Sequence, residues 1–543
     1  MKVRATIILT GLAAAVVWGL PGCKTPEPER PHLVGSPGPS QSPPPARRPE
    51  PPQASDDGNE STRQSRHRSG ALWYRIELSA DVAHIRVRLV EPPTTASFFL
   101  PTSPPPQRQT TPGLQVDEAL GPDGPVDTER VISAHRIDID ARGLQWVEFR
   151  YRLDLNSASR AKHPLAPVLE GSTRLLYMPS VLAVPSARIA RGLTDIPVEL
   201  HLPSSWSATT TWDSVGSEPS AHDSRRQVHG FLARDFRELR DAYLAAGPEL
   251  TTVTRHSRRH RIEITFGPGF DRGREAIADA IGPLLGFYRR QFGHLGPVSA
   301  FVQARRPDGS NDIHGQGRRG GFVVSMPPGP PGKQSLLLLA HEAFHLWNGH
   351  RIVPSPAAEP ETRWFKEGVT HYIALKTLYT LGVFERRDVL DEIARAAYLY
   401  DHNPAARSRP GIDPVDRRRL PYDRGLLIGL AMDAALTESS RGEVGIEHWF
   451  RRLLRQENGG PDRLVDTKSL KSAFFEVTPQ RCQRCRTLWS RYVQRESPLD
   501  LDDIFAHGGL HLLDGGSVDQ MRLLPLQGAS LPFRAYFPFA RSE

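Results

Sequence analysis

The sequence predicts an α+β multidomain protein, in which a β-sandwich or saddle-like domain precedes a largely helical remainder. Three observations predict it. The length of 543 residues exceeds one compact module. Apolar and polar residues alternate at period two from residue 71 onward. From about Arg272 the apolar spacing changes to three and four. Apolar residues make up 38% of the chain and charged residues 24%. That composition is globular and excludes both a collagen-like chain and a multi-span membrane protein.

The chain opens on Lys2 and Arg4, followed by an almost wholly apolar run over residues 5–20. As a helix that run spans only about 24 Å, short for a bilayer crossing, and it reads as a secretory signal. It ends Leu20-Pro21-Gly22-Cys23. A small residue before a cysteine, directly after an apolar run, resembles the bacterial lipobox, which implies cleavage after residue 22 and a lipid on Cys23. Pro21 departs from the usual small or aliphatic residue, and an ordinary signal peptide with an incidental cysteine is the plainer alternative. Between Pro26 and Pro52 there are eleven prolines. Such a stretch cannot bury enough apolar surface to fold. Residues 23–70 therefore read as an extended spacer, reaching about 100 Å if largely polyproline II. A lipid-anchored protein on the periplasmic or surface side of a bacterial envelope is expected.

The β domain is expected over 71–268. Leu72–Leu78, Ile85–Leu89 and Val147–Leu153 alternate cleanly. Shorter strands are expected near Arg174–Met178, Pro197–Leu202 and Arg261–Phe266, with Pro, Gly and Ser turns between them. A second domain is expected over 269–420. It includes a helix with Ala276, Ile277, Ala280, Ile281 and Leu284 on one side, a second from Ser335 to about Asn348, and a third from Trp364 to about Leu378. A helical lobe follows over 421–510, with a tail over 511–543.

Lys and Arg number 69 against 61 Asp and Glu, a net +8. Arg-rich spots at Arg255–Arg261 and Arg417–Arg419 are short and lack the aromatic-interleaved stripe of a nucleic-acid binder, so no nucleic-acid partner is expected. There is no Walker phosphate loop and no G-x-S-x-G elbow. Three cysteines cannot make a disulfide framework.

The chemistry lies in Ala340-His341-Glu342-Ala343-Phe344-His345, an H-E-x-x-H sequence on an expected helix. Histidines four apart share a helical face and can reach one ion, with Glu342 beside them to take a proton from water. The plainer reading is two hydrogen-bonded histidines on an amphipathic helix. A third ligand is expected from a second helix: Trp364-Phe365-Lys366-Glu367-Gly368 supplies Glu367, after a loop broken by Pro354, Pro356 and Pro360. His341, His345 and Glu367 then make a His₂Glu set for one Zn²⁺ of the thermolysin type. An oxyanion also needs a donor. Pro421-Tyr422-Asp423-Arg424-Gly425, ahead of a helix expected to begin at Leu426, is similar to the Pro-Tyr-Glu-Lys-Gly segment of zinc aminopeptidases, where the Tyr has that role. A packing tyrosine at a helix start is the alternative.

His341–Asn348, Arg351-Ile352, Pro354 and Trp364–Thr370 together resemble the glycyl aminopeptidase family of zinc metallopeptidases. Leu202–Trp206, Asp235–Leu244, Trp489–Val493 and Pro498–Gly509 extend the likeness over about 71–510. The resemblance implies an N-terminal β domain, a thermolysin-like catalytic domain, a helical lobe and a peptide or protein substrate. It also implies a Glu-His-Arg segment at the cleft edge, its Glu meeting the substrate amino terminus. Here the stretch reads Gly315-Gln316-Gly317-Arg318: Arg318 fits, while Gln316 and Gly317 replace the acidic pair member and the histidine. Aminopeptidase specificity and endopeptidase activity both stay open. His371 stands where family members carry Asp, and is expected either to accept a hydrogen bond from a ligand histidine or to lie at the surface. The family's PDZ module is not expected in residues 511–543; Phe533, Tyr536, Phe537 and Phe539 suggest a docked strand.

Cys482-Gln483-Arg484-Cys485 cannot complete a zinc site alone. A local disulfide is the favoured reading in an exported chain, ahead of free thiols or a redox motif. The sequence thus points to an envelope-anchored zinc peptidase. A catalytically altered peptide- or protein-binding lipoprotein of the same fold is the alternative, supported by the cleft-edge change and by His371.

Overall fold

The computed structural model describes residues 68–525 and residue 537, apart from 70, 103–108, 132–134, 162, 221–222, 258–259, 305–312, 408–413, 456–462, 514–516, 518–519 and 521. The expected signal segment, Cys23 and nearly all of the proline-rich spacer lie outside the described residues. Among the described residues no helix is long and apolar enough to cross a membrane.

The alternating segments form strands. Leu72–Leu78, Val82–Val90 and Trp146–Asp154 sit side by side and antiparallel in a nine-stranded sheet. Each buries its odd or even set: Leu72, Tyr74, Ile76 and Leu78 on the first, Ile85, Val87 and Leu89 on the second. A four-stranded sheet built on Thr95–Phe99 and Arg136–Asp140 lays Ala96, Phe98, Ile137 and Ile139 into the same core. Side chains of period two cover one face of each sheet, so two sheets closing face to face is how that surface leaves water.

A third sheet, ordered Val168–Glu170, Thr173–Tyr177, Tyr243–Gly247 and Ser207–Thr210, does not alternate in burial. All five residues of Thr173–Tyr177 are buried, as are all five of Tyr243–Gly247. Leu176, Leu244 and Ala246 face the β-domain core. Leu175, Tyr177, Tyr243 and Ala245 pack on Phe301 and Val323 of the next domain. A strand covered on both faces reads as a continuous apolar run. This sheet joins the two domains, and the Tyr243 hydroxyl and Ser299 Oγ, 2.7 Å apart, add a polar contact across them.

The second domain opens earlier than the sequence suggested. His260–Phe266, expected to close the β domain, pairs antiparallel with Thr251–Ser257 and parallel with Val298–Ala304. It thus belongs to a five-stranded sheet that continues through Gly321–Met326 to the edge strand His314–Arg318. Period two marks a strand but does not say which sheet it joins. Under this sheet lie the helices Arg274–Phe292 and Lys333–His345, with Ile277, Ile281, Leu284, Leu337 and Leu339 in a core shared with the helical lobe.

That shared core also crosses the expected boundary at residue 420. A single helix runs Pro414–Ser439, with Pro421 inside it. Tyr422 therefore sits within a helix, not ahead of one beginning at Leu426. Proline removes a helical hydrogen bond and is a fair stop signal, but packing on neighbouring helices outweighs that local cost here. Lys376 on the helix Thr370–Thr380, fully buried, binds Asp433 at 2.6 Å and Glu447 at 3.2 Å and ties that helix to two helices of this lobe. Leu510–Leu513 and Arg522–Pro525 form an antiparallel hairpin at the tail. Of the four tail aromatics only Phe537 is among the described residues. It is buried with ring centroids 5.8 Å from Tyr372 and 5.4 Å from Tyr379. Cys482 and Cys485 are disulfide-bonded at the start of the short helix Gln483–Leu488.

Candidate active site

The helix Lys333–His345 presents His341 and His345 from adjacent turns, their rings 4.6 Å apart and nearly perpendicular. Glu367 comes from the next helical segment, Glu359–Arg363 continuing through Trp364–Val369 into Thr370–Thr380. The stretch Trp364–Val369 is a π-helical turn, where the sequence suggested a plain α-helix. Such a wide turn shifts the register of the side chains that follow, and here it carries the carboxylate inward.

His341 Nε2 and His345 Nε2 are 3.0 Å apart, and Glu367 Oε2 lies 3.7 Å from the first and 3.3 Å from the second. Tetrahedral zinc with ligands at about 2.05 Å keeps them about 3.3 Å from one another. The three atoms fit that geometry, and they are the one such group of three among the described residues. The histidine tautomers agree. His345 Nδ1 is 2.8 Å from the Asn348 carbonyl, an acceptor, so the proton is on Nδ1 and Nε2 keeps its lone pair. Asn348 is itself pinned by its amide, which donates to the Phe365 carbonyl and to Thr370 Oγ1 at 3.0 Å each. It ties the first ligand helix to the second. Burial holds the His341 imidazole down at about 3, which keeps it neutral. Burial opposes ionisation of Glu367, but His345 and His341 beside it hold the carboxyl well below the usual range.

Glu342 lies on the same helix, 5% accessible, with Oε2 buried and making no hydrogen bond. Burial pushes its carboxyl up to about 7, against the pull of His345. The edge strand sits directly on it: a Cβ at Gly315 would come within 2.6 Å of Glu342 Oε1, so only glycine lets the strand lie this close. Tyr422 stacks on His341 with ring centroids 6.0 Å apart. Burial, with Glu367 and Glu342 nearby, pushes its hydroxyl well above the usual range and keeps it a donor.

The remaining expected residues take other roles. Gln316 turns away from the helix, and its Nε2 donates to the Pro164 carbonyl of the β domain at 2.6 Å. Arg318 is 8% accessible, stacked 5.0 Å over Tyr177, and bound to Asp241 at 3.2 Å and to Gln316. Both anchor the edge strand to the β domain. His371 is not a surface residue: its Nδ1 lies 3.4 Å from His341 Nδ1 and its Nε2 lies 3.2 Å from Glu392 Oε1. Sequence reasoning passed over Asn348, Asp241, His350 and Glu392. Asn348 stands three residues after the motif and could have been weighed; Glu392 sits in an ordinary charged helix and carries no local signal.

Residues 334–414 match the family model of the M61 glycyl aminopeptidases. No curated protein matches the chain in sequence. Among solved structures it is similar to an aminopeptidase N family protein from Idiomarina loihiensis, at 14% identity and a TM-score of 0.60, covering 82% of this chain and 80% of that one. It is also similar to an M1 zinc metallopeptidase from Deinococcus radiodurans, solved as a mutant bound to a Tyr-Ser-Ala substrate, at 15% identity and a TM-score of 0.53, covering 78% and 93%. The resemblance read from the motif and the α+β multidomain class both hold: the family model covers the stretch that carries His341, His345 and Glu367, and the solved structures share the fold.

Proposed function

We propose that this chain is a zinc metallopeptidase that hydrolyses peptide bonds with one ion held by His341, His345 and Glu367, and that it is anchored to a bacterial envelope through Cys23. The convergence of three ligand atoms at tetrahedral spacing carries the catalytic part of the reading. Zinc at such a site polarises a carbonyl and acidifies water. Glu342, buried beside the ligand atoms, would take the proton of the attacking water and return it to the leaving amine. Tyr422 donates its O–H to the oxygen on which negative charge develops. Among the described residues His314–Arg318 is the last strand of its sheet, and the backbone of an extended peptide would add beside it as a further strand.

Gln316 presents a neutral amide already engaged by Pro164 and Arg318. The strand carries no carboxylate to pair with an α-ammonium group. Peptides with free and with blocked amino termini are therefore expected to be cleaved at rates within about tenfold of each other. A panel of both kinds, assayed on zinc-loaded protein and after chelation, tests the reading. Cleavage of free termini alone would make the enzyme a strict aminopeptidase. Silence from a protein that binds zinc would favour the peptide-binding alternative. The apolar start, Cys23 and the proline-rich spacer support the anchor. The wild-type chain should fractionate with membranes and Cys23→Ser should not; equal partition of the two would remove the anchor.

A further inference from the structure

His341 directs Nε2 at the ligand set and Nδ1 at His371. From there the contacts continue outward. His371 Nε2 is 3.2 Å from Glu392 Oε1, and Glu392 is gripped by Arg395, whose Nε lies 2.9 Å from Oε2. Glu392 is 5% accessible and comes from a third helix, Arg386–Asp401. Burial alone would raise its carboxyl, but Arg395 and His371 bring it down to about 2, so it is ionised.

The proton positions along this row follow from its outer end. An ionised carboxylate only accepts, so His371 Nε2 carries the proton that faces it. With Nε2 donating to that carboxylate, His371 turns Nδ1, its other ring nitrogen, to His341 as the acceptor. The proton between the two imidazoles therefore sits on His341 Nδ1, and His341 Nε2 is left with its lone pair. A protonated or neutral side chain at position 392 would not impose this order. His345 gets the same service from the Asn348 carbonyl in one step; His341 gets it in two.

We propose that Glu392 is a positioning residue for the metal site, fixing the tautomer and ring orientation of His341 through His371. The proposal rests on the reading of His341, His345 and Glu367 as zinc ligands. Outer partners of ligand histidines are worth about 10–100-fold in metal affinity, and part of that is expected to reside in a carboxylate two contacts from the ion.

The test is zinc affinity of the full chain, measured by competition with a chromophoric chelator, in a double-mutant cycle of position 392 with His371→Ala. Glu392→Gln keeps the volume and should bind zinc about tenfold more weakly; Glu392→Ala should lose about 10–100-fold. In the His371→Ala background the same changes should cost less than twofold, because the contact through which Glu392 acts is gone. A purely structural role would cost the same in both backgrounds and would lower the melting temperature of the chelated protein equally. Equal losses in the two backgrounds, or Glu392→Ala within twofold of wild type, would overturn the proposal while leaving the zinc site standing. A wild-type chain that binds no zinc would overturn both.

Discussion

Glu342 shows how much of the chemistry rests on single atoms. Its Oε2 is buried with no hydrogen-bond partner, a state that costs free energy and so calls for a functional reason. The missing Cβ of Gly315 is what lets the edge strand close over it. Glu342→Gln preserves the shape and removes the proton acceptor. Turnover should fall by about 10²–10⁴-fold while zinc content stays at wild-type level. Metal analysis beside a peptide assay checks both halves, and a rate within tenfold of wild type would remove Glu342 from the mechanism. The H-E-x-x-H spacing made this residue and both histidines legible, because four residues is one helical turn in any fold. Glu392 was not legible, since nothing local marks a carboxylate that acts through another helix.

Between elements, the deciding contact is the crossing of the π-helical turn Trp364–Val369 with the helix Pro414–Ser439. The two backbones touch. A Cβ at Gly368 would come 2.4 Å from Gly425 Cα, and one at Gly425 would come 2.1 Å from the Trp364 carbonyl oxygen. Backbone cannot yield as a flexible side chain can, so any side chain there must push the helices apart. The same crossing brings Tyr422 over His341 beside Glu367. Gly425→Ala should therefore lose about 1–3 kcal/mol of stability and lower activity as well, through displacement of Glu367 and Tyr422. Urea unfolding and peptide hydrolysis measured on one preparation test the link; a variant as stable and as active as wild type would refute it. The helices themselves followed from apolar periodicity. The wide turn and the continuation through Pro421 did not, because both are stabilised by contact with each other and not by local preference.

For the whole molecule, Asp241 is the joint between domains. It leaves the β domain just after the helix Phe236–Arg240 and meets Arg318 at 3.2 Å, the Arg319 backbone N–H at 3.2 Å and His350 Nδ1 at 2.9 Å. Burial would raise its carboxyl, but His350 and Arg318 hold it down at about 2. The side chain is 30% accessible, which tempers the energy. A carboxylate whose folded value lies below its unfolded value of about 3.9 contributes stability above that pH and loses it as the pH falls toward 2. Wild type should therefore lose about 1–2 kcal/mol between pH 4 and pH 2 that Asp241→Asn does not lose. Unfolding curves of both proteins at the two pH values give the comparison, and parallel losses would exclude the latch. The edge strand that it anchors is the one beside Glu342, so this joint also sets the width of the cleft.

By itself the sequence determined which three side chains could share an ion, the carboxylate beside them and the α+β class, since helical and strand periods and a four-residue motif spacing are properties of the local chain. Tertiary structure alone decided that the strand ending at Phe266 serves the second domain, that Tyr422 lies inside a helix, and that Gln316 and Arg318 brace the strand against the β domain. It also decided that His371 leads to Glu392. These depend on which surfaces meet across long separations, and contact between distant segments leaves no period in the sequence to read.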